Sequence, residues 1–239
     1  YCQNNPNLVV PVYCNGNPAN ATVGATVSLY RSTYSTTVKT AVGTVAQIGT
    51  TLGVATDSAQ RRVLLSAYVR RYTGLYESPV GTPHPGQLFS LGFNATSPTP
   101  FVDLATLGVS VGTVASNSAR GLTTISVFAP DNGANGVMEE VGTVGIGDID
   151  IDADGTLWVV SLFDRHLYRV ALPSNGAAPT ASDVSDKGEI TAPCPADSGI
   201  ARPFGLKPYN GLIYLGVVCD GSTDPGTNRA NLEAYVVTF

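Results

Sequence analysis

An all-β fold built from small antiparallel sheets, each covered on both faces, is what this sequence predicts, and three observations carry the reading. β-branched residues dominate the apolar set, and no long run of Ala, Leu, Glu and Lys shows helical spacing. Asp-Gly and Asn-Gly turn signals punctuate short apolar runs. Three of those runs, VLLSAYV, LWVVSL and LIYLGVV, are apolar at successive positions. Side chains alternate along a strand, so each run is apolar on both faces. A two-layer sandwich asks for one apolar face per strand. Two apolar faces ask for a sheet on either side, as in the blades of a β-propeller. The predicted architecture is a propeller-like array of four-stranded antiparallel blades, incomplete or closed by another copy of the chain.

Residues 1–40 read as an irregular, Asn- and Pro-rich segment, with LVVPVY as an edge strand that tolerates its proline. Residues 41–239 read as the blade region. ATVSLYRSTYSTTVKTAVGTVAQI supplies one or two half-exposed strands. LGVATD, the turn SAQR and RVLLSAYVRR follow, with Val63, Leu65 and Ala67 expected on one face and Leu64 and Tyr68 on the other. A long loop leads to the strand GQLFSLGF, and NATSPTPFVDLAT reads as a connection. GVSVGTV, TTISVFA and GVMEEVGTVG are predicted as strands. GIGDIDIDADGTLWVVSLFDRHLYRVAL reads as three strands joined by the turns DADG and FDRH, with Leu157 and Val159 on one face and Trp158, Val160 and Leu162 on the other. Residues 173–203 read as a connection, and PFGLKP, the turn YNG, LIYLGVV and NLEAYVVTF as the last unit. Gly53, Gly147 and Gly205 each lead a short strand into a polar turn and a doubly apolar strand.

Only 13% of the residues are charged, about half the usual share for a globular domain. The net charge of −5, with no basic run, argues against nucleic acid as a partner. TLWVVSLF and LIYLGVV are far shorter than the ~20 residues that span a bilayer, so no membrane insertion is expected. Residue 1 is Tyr, and the chain reads as a processed form or a fragment. Cys2, Cys14, Cys194 and Cys219 form no C-x-x-C pair, and their even number suggests two disulfides and an oxidising compartment. Three pairings exist; Cys2–Cys14 with Cys194–Cys219 closes the two local loops. Asn20 and Asn94 begin N-x-[ST] triplets, candidate glycosylation sites.

VGTVGIGDIDIDADGTLWVVSLFDRHLYRVAL and ARPFGLKPYNGLIYLGVVCD resemble segments of large exported bacterial β-propeller surface proteins, which often carry SdrD-like B repeats further along the chain. LGVATDSAQRRVLLSAYVRRYTGL is similar to the preceding blade of that family. The resemblance covers roughly residues 40–239 and is carried best by FDRHLYRV and RPFGLK…YLGVVCD. It implies a propeller fold and an extracellular or cell-surface location, and it implies no known reaction.

Asp148, Asp150, Asp152 and Asp154 are the candidate ligands for Ca2+. DIDADG copies the start of an EF-hand loop, but Ser161 stands where a bidentate Glu is required. Three aspartates on one strand face otherwise need water or hydrogen-bond donors. In Asp164-Arg165-His166 a structural role is expected, with Asp164 capping a turn and Arg165 paired to a carboxylate. No G-x-S-x-G elbow accompanies His166 as a catalytic base. His84 reads as an exposed loop residue. Glu139 and Glu140 are adjacent and, on a strand, face apart, which does not suit glycosidase chemistry. Arg61, Arg62, Arg70 and Arg71 read as solvated or ion-paired strand ends, and Tyr68, Tyr72 and Tyr76 as packing residues or a sugar-facing surface. The function expected is a non-enzymatic extracellular module for the cell surface, adhesion or self-assembly. Its partners would be other copies of itself, surface proteins or glycans. The alternatives are a metal-dependent lactonase- or esterase-like hydrolase and a carbohydrate-binding module.

Overall fold

The computed structural model describes residues 7–13, 27–33, 39–122, 131, 136–223 and 232–239 of the 239-residue chain. Their strands form four antiparallel sheets. The first holds β1 (Asn7–Pro11), β2 (Val27–Thr33) and β3 (Lys39–Thr44), followed by a single helical turn, α1 (Val45–Ile48). The second holds β4 (Thr51–Asp57), β5 (Arg62–Ala67), β6 (Gln87–Gly92) and β7 (Thr99–Asp103) in sequence order. The third holds β8 (Ile146–Ile151), β9 (Thr156–Ser161), β10 (His166–Ala171) and β11 (Val184–Glu189). The fourth holds β12 (Ala201–Tyr209), β13 (Leu212–Cys219) and β14 (Ala234–Thr238).

The hairpin turns follow the predicted chemistry. Gly155 closes the β8–β9 turn at φ +82°, and Asn210 and Gly211 join β12 to β13 with φ +51° and +80°, the two positive angles a two-residue hairpin favours. Prolines inside strands sit in edge strands, where a missing N–H is tolerated: Pro11 in β1, Pro100 in β7, Pro203 and Pro208 in β12.

Three cores lie between the four sheets. The first joins β3 and α1, through Val42 and Ile48, to Val63, Leu65 and Ala67 of β5 and Phe89 and Leu91 of β6. Arg31 of β2 adds hydrogen bonds from Nη1 to the carbonyls of Phe93 and Ala95, at 2.9 and 3.2 Å. The second core sets Leu64 and Leu88 against Leu157, Val159, Tyr168 and Val170. The third sets Val160, Leu162 and Leu167 against Leu206, Ile213, Leu215 and Val217. β5 and β9 thus divide their apolar residues between two cores as their alternation requires, with Tyr68 reaching the third core. Each fully buried Val or Leu contributes about 1.5–3 kcal/mol against leaving it exposed.

The first strands of consecutive sheets, β4, β8 and β12, lie side by side. Two glycines permit that approach. A Cβ on Gly53 would meet the backbone nitrogen of Ile149 at 2.9 Å, and one on Gly147 the carbonyl oxygen of Phe204 at 2.8 Å. A Cβ on Gly205 would meet none of the described residues within 4 Å.

Several expectations are corrected. LIYLGVV, now β13, is covered on one face only: Ile213, Leu215 and Val217 enter the third core, while no described element covers the face carrying Leu212 and Val218. Residues 108–114 form an irregular connection and 136–145 a series of turns, because positive-φ glycines at 108, 112, 142 and 145 break any extended run. TTISVFA, Cys2, Cys14 and Asn20 lie outside the described residues. β7 and β11 occupy stretches read as connections. Part of the N-terminal segment is a sheet, with β1 as its edge strand, and the division at residue 40 falls inside β3.

Candidate functional site

β8 begins a line of carboxylates that the sequence offers as metal ligands, and three of the four, Asp148, Asp150 and Asp152, accept from donors of the chain. Asp148, half-buried, accepts from its neighbour Ile149 N at 2.9 Å and from Leu206 N of β12 at 3.2 Å. Burial pushes its carboxyl above the usual range; the two backbone donors pull it down, nearby Asp150 adds to the rise and Lys207 opposes it. Asp150 accepts from Ile151 N at 2.8 Å and pairs with Lys207 Nζ at 2.6 Å. Asp152 accepts from Asp154 N and Thr156 N through Oδ1, at 3.0 and 2.9 Å, and from Trp158 Nε1 through Oδ2 at 2.8 Å. Asp154 is exposed at the turn. Among the described residues no three His, Cys, Asp or Glu side chains gather where they could hold a metal ion. The acidic strand is a set of inter-sheet and turn ties: Asp148 and Asp150 fasten β8 to β12.

Beside that line the third and fourth sheets diverge into a cleft of about 720 Å3. Trp158 and Arg169 are cross-strand partners on β9 and β10, and both line it. Asp152 fixes the indole through its N–H, and Arg169 Nη2 lies 3.4 Å from Thr156 Oγ1. Lys187 of β11 enters from the outer strand, and Tyr209, Asn210 and Phe239 close the opposite wall. The chain's one tryptophan was legible as a core residue; its second role needed the register of β9 against β10 and the position of the β12–β13 turn.

In the FDRH turn the expected cap by Asp164 and the expected ion pair of Arg165 both form. Asp164 accepts from His166 N at 3.2 Å and from the Tyr168 hydroxyl at 2.5 Å, and Arg165 pairs with Glu189. His166 Nδ1 lies 2.9 Å from Asp186. His84 corrects the expectation of a free loop residue. Its Nδ1 is 2.7 Å from Asp103 Oδ2 and its Nε2 2.8 Å from the Ser78 carbonyl. Burial disfavours its charged form, yet Asp103 and the Ser78 carbonyl outweigh that and hold the imidazole above its ordinary value.

Arg62 makes its predicted ion pair, with Asp57 at 2.8 Å, and stacks on Phe101. Arg61, exposed to solvent, lies over the ring of Phe93, and the half-buried Arg70 and Arg71 lie over Tyr13 and Tyr72. Tyr68 meets Phe204 edge-on, and Tyr76 meets Phe89. Glu139 and Glu140 lie in a turn, not on a strand. Asn94 is exposed in the turn after β6. Cys194 and Cys219 form a disulfide. One buried pair was invisible in the sequence. Arg120 and Asp131, both fully buried, are joined at 2.9 and 3.1 Å, and Asp131 also accepts from Tyr72 N at 2.6 Å.

The other site-sized feature is the face of the fourth sheet that none of the described residues covers. Leu212 is 44% exposed, Val218 49% and Val236 75%, all on a sheet whose opposite face is core.

No protein-family model matches the sequence. Over 234 residues, 94% of this chain, it is 27% identical to Colossin-D of Dictyostelium discoideum, and it spans 23% of that relative's length. Among solved structures it is similar to a luciferin-regenerating enzyme, with a TM-score of 0.43 and 11% identity over 98% of this chain and 57% of the other. It is also similar to a protein from Lactobacillus plantarum, with a TM-score of 0.41 and 10% identity over 98% of this chain and 53% of the other.

Proposed function

We propose that this chain is an exported, non-enzymatic assembly module whose sheets are arranged like propeller blades, and that its working surface is the uncovered face of β12–β14, occupied by another copy of the chain. The observation that carries the reading is the contrast between three glycines. Gly53 and Gly147 stand where the next sheet's backbone comes within 3 Å of a would-be Cβ, whereas Gly205, in the corresponding first strand, has none of the described residues within 4 Å of that position. The fourth sheet is therefore shaped for a neighbour, and Leu212, Val218 and Val236 supply the apolar side chains that such a neighbour would bury. A second copy is favoured because the other end of the stack also exposes Leu8 and Val10. Head-to-tail copies would then continue the same sheet-on-sheet packing, an association that need not close. The Cys194–Cys219 disulfide supports an oxidising, extracellular setting, in line with the exported surface proteins that the sequence resembles.

Sedimentation velocity and native mass measurement across a wide concentration range test the reading. Concentration-dependent growth is expected, and Val218→Lys with Val236→Lys should abolish it while leaving the thermal transition in place. A wild-type chain that stays monomeric at high micromolar concentration would overturn the proposal. Turnover in a lactonase and esterase screen would overturn its non-enzymatic part.

A further inference from the structure

We propose that the cleft between the third and fourth sheets binds an acidic saccharide, a pyranose unit bearing a carboxylate, with Trp158 as its stacking platform and Arg169 and Lys187 as its anion contacts. The proposal needs nothing of Val218 and Val236 on the face of β12–β14; Leu212, at the start of β13, borders both surfaces.

The cleft's size, about 720 Å3, falls within the ~300–1,000 Å3 typical of small-molecule sites. Its lining joins aromatic rings to hydrogen-bonding groups in the combination a sugar needs. A pyranose has an apolar face of C–H groups for a ring and a rim of hydroxyls for polar side chains. Trp158 and Tyr209 supply the rings, from β9 and from the end of β12. The indole is held in place, since Asp152 takes its N–H and is itself fixed by two backbone donors. Asn210 and Asp154 line the same cleft, and the Asp154 carboxylate is exposed, where it can accept from a hydroxyl.

The preference for an acidic sugar comes from the distribution of cations. Elsewhere among the described residues Arg62, Arg120, Arg165, Arg202 and Lys207 are in ion pairs with carboxylates. Arg61, Arg70 and Arg71 lie over aromatic rings, Arg31 donates to two carbonyls, and Lys39 is exposed at the start of β3, away from the cleft. Arg169 and Lys187 have no carboxylate partner among the described residues, and both line this cleft. Arg169 holds only a 3.4 Å contact from Nη2 to Thr156 Oγ1, so most of its donor fork is unengaged. In a chain of net charge −5, two unpaired cations beside a fixed indole are matched by a carboxylate on a ring with an apolar face.

Because Trp158 is the chain's one tryptophan, its fluorescence reports the cleft directly. The test titrates the whole chain with oligogalacturonate trimer, maltotriose and inorganic phosphate, with calorimetry beside fluorescence. A saturable Trp158 response to oligogalacturonate, weakened by salt and absent with maltotriose, is expected. Arg169→Met should weaken binding by about tenfold or more, the loss of one charge-assisted contact. Lys187→Gln, on an exposed strand edge, should weaken it in the same direction without affecting folding. A response to maltotriose as strong as to the acidic trimer would overturn the anion contacts. Phosphate competing as well as the trimer would reduce the site to a simple anion site and overturn the saccharide. No saturable response, or unchanged affinity in both variants, would overturn the proposal entirely.

Discussion

A methyl group at Gly147 would sit 2.8 Å from the Phe204 carbonyl oxygen and 3.1 Å from Leu162, so the smallest possible enlargement there pushes one sheet off another. Gly147→Ala is expected to cost about 1–3 kcal/mol, the range for overpacking a filled interior, whereas Gly205→Ala meets no atom of the described residues within 4 Å and should be close to neutral. Chemical denaturation of the two variants separates a contact requirement from a general preference for glycine in these strands. His84 gives a second expectation at this scale. Its folded pKa lies above the ordinary histidine value, so protonation favours the folded state. Its contribution is fully present below the ordinary value and is lost as pH rises through the raised one. Melting temperatures should therefore fall from mildly acidic to mildly alkaline pH, and His84→Gln should flatten that slope. The sequence placed His84 in a loop but could not show Asp103, nineteen positions away, arriving beside it. Arg120 and Asp131 were hidden for the same reason, since nothing in residue type or spacing marks a buried ion pair.

Strands whose alternation is regular were readable element by element. β5 and β9 split Val63, Leu65 and Ala67 from Leu64, and Leu157 and Val159 from Trp158, Val160 and Leu162, as side-chain period demands. The outer strands were not readable. β7, TPFVD, carries a proline, and β11, VSDKGE, is polar and charged, so neither offers the apolar alternation that betrays a strand. Both are paired on one side only, which is why such composition is tolerated. The irregular stretch at 136–145 failed the opposite way: its valines suggested a strand, while glycines at positive φ made turns of it. The disulfide belongs to this scale as well. It ties the end of β13 to the segment before β12 across 25 positions of chain. Replacing Cys194 and Cys219 together with Ala should remove about 3 kcal/mol in the chain-entropy account, measurable as a shift in denaturation midpoint with little change in slope.

Over the whole molecule, order should be graded along the stack. The third sheet lies between two cores, and the fourth has one. Hydrogen exchange is expected to find its slowest amides in β9 and β10, with β13 and β14 exchanging earlier through partial opening. Uniform protection across the sheets would instead mean that the stack opens only as a unit. The sequence conveyed that sheets stack, because a strand apolar on both faces must be covered twice. It could not convey that only one face of β13 is covered by the described residues, because that strand looks the same whether or not a neighbour is present. The strand edges carry one further implication. Pro11 and Pro100 interrupt β1 and β7, and Asp186, Lys187 and Glu189 place charge along β11. The remaining outer rim, AYVVT of β14, has neither. Stray ladder growth leading to insoluble fibres would therefore start at that rim, and a single lysine in place of Val236 is the gatekeeper that nature supplied elsewhere on this chain.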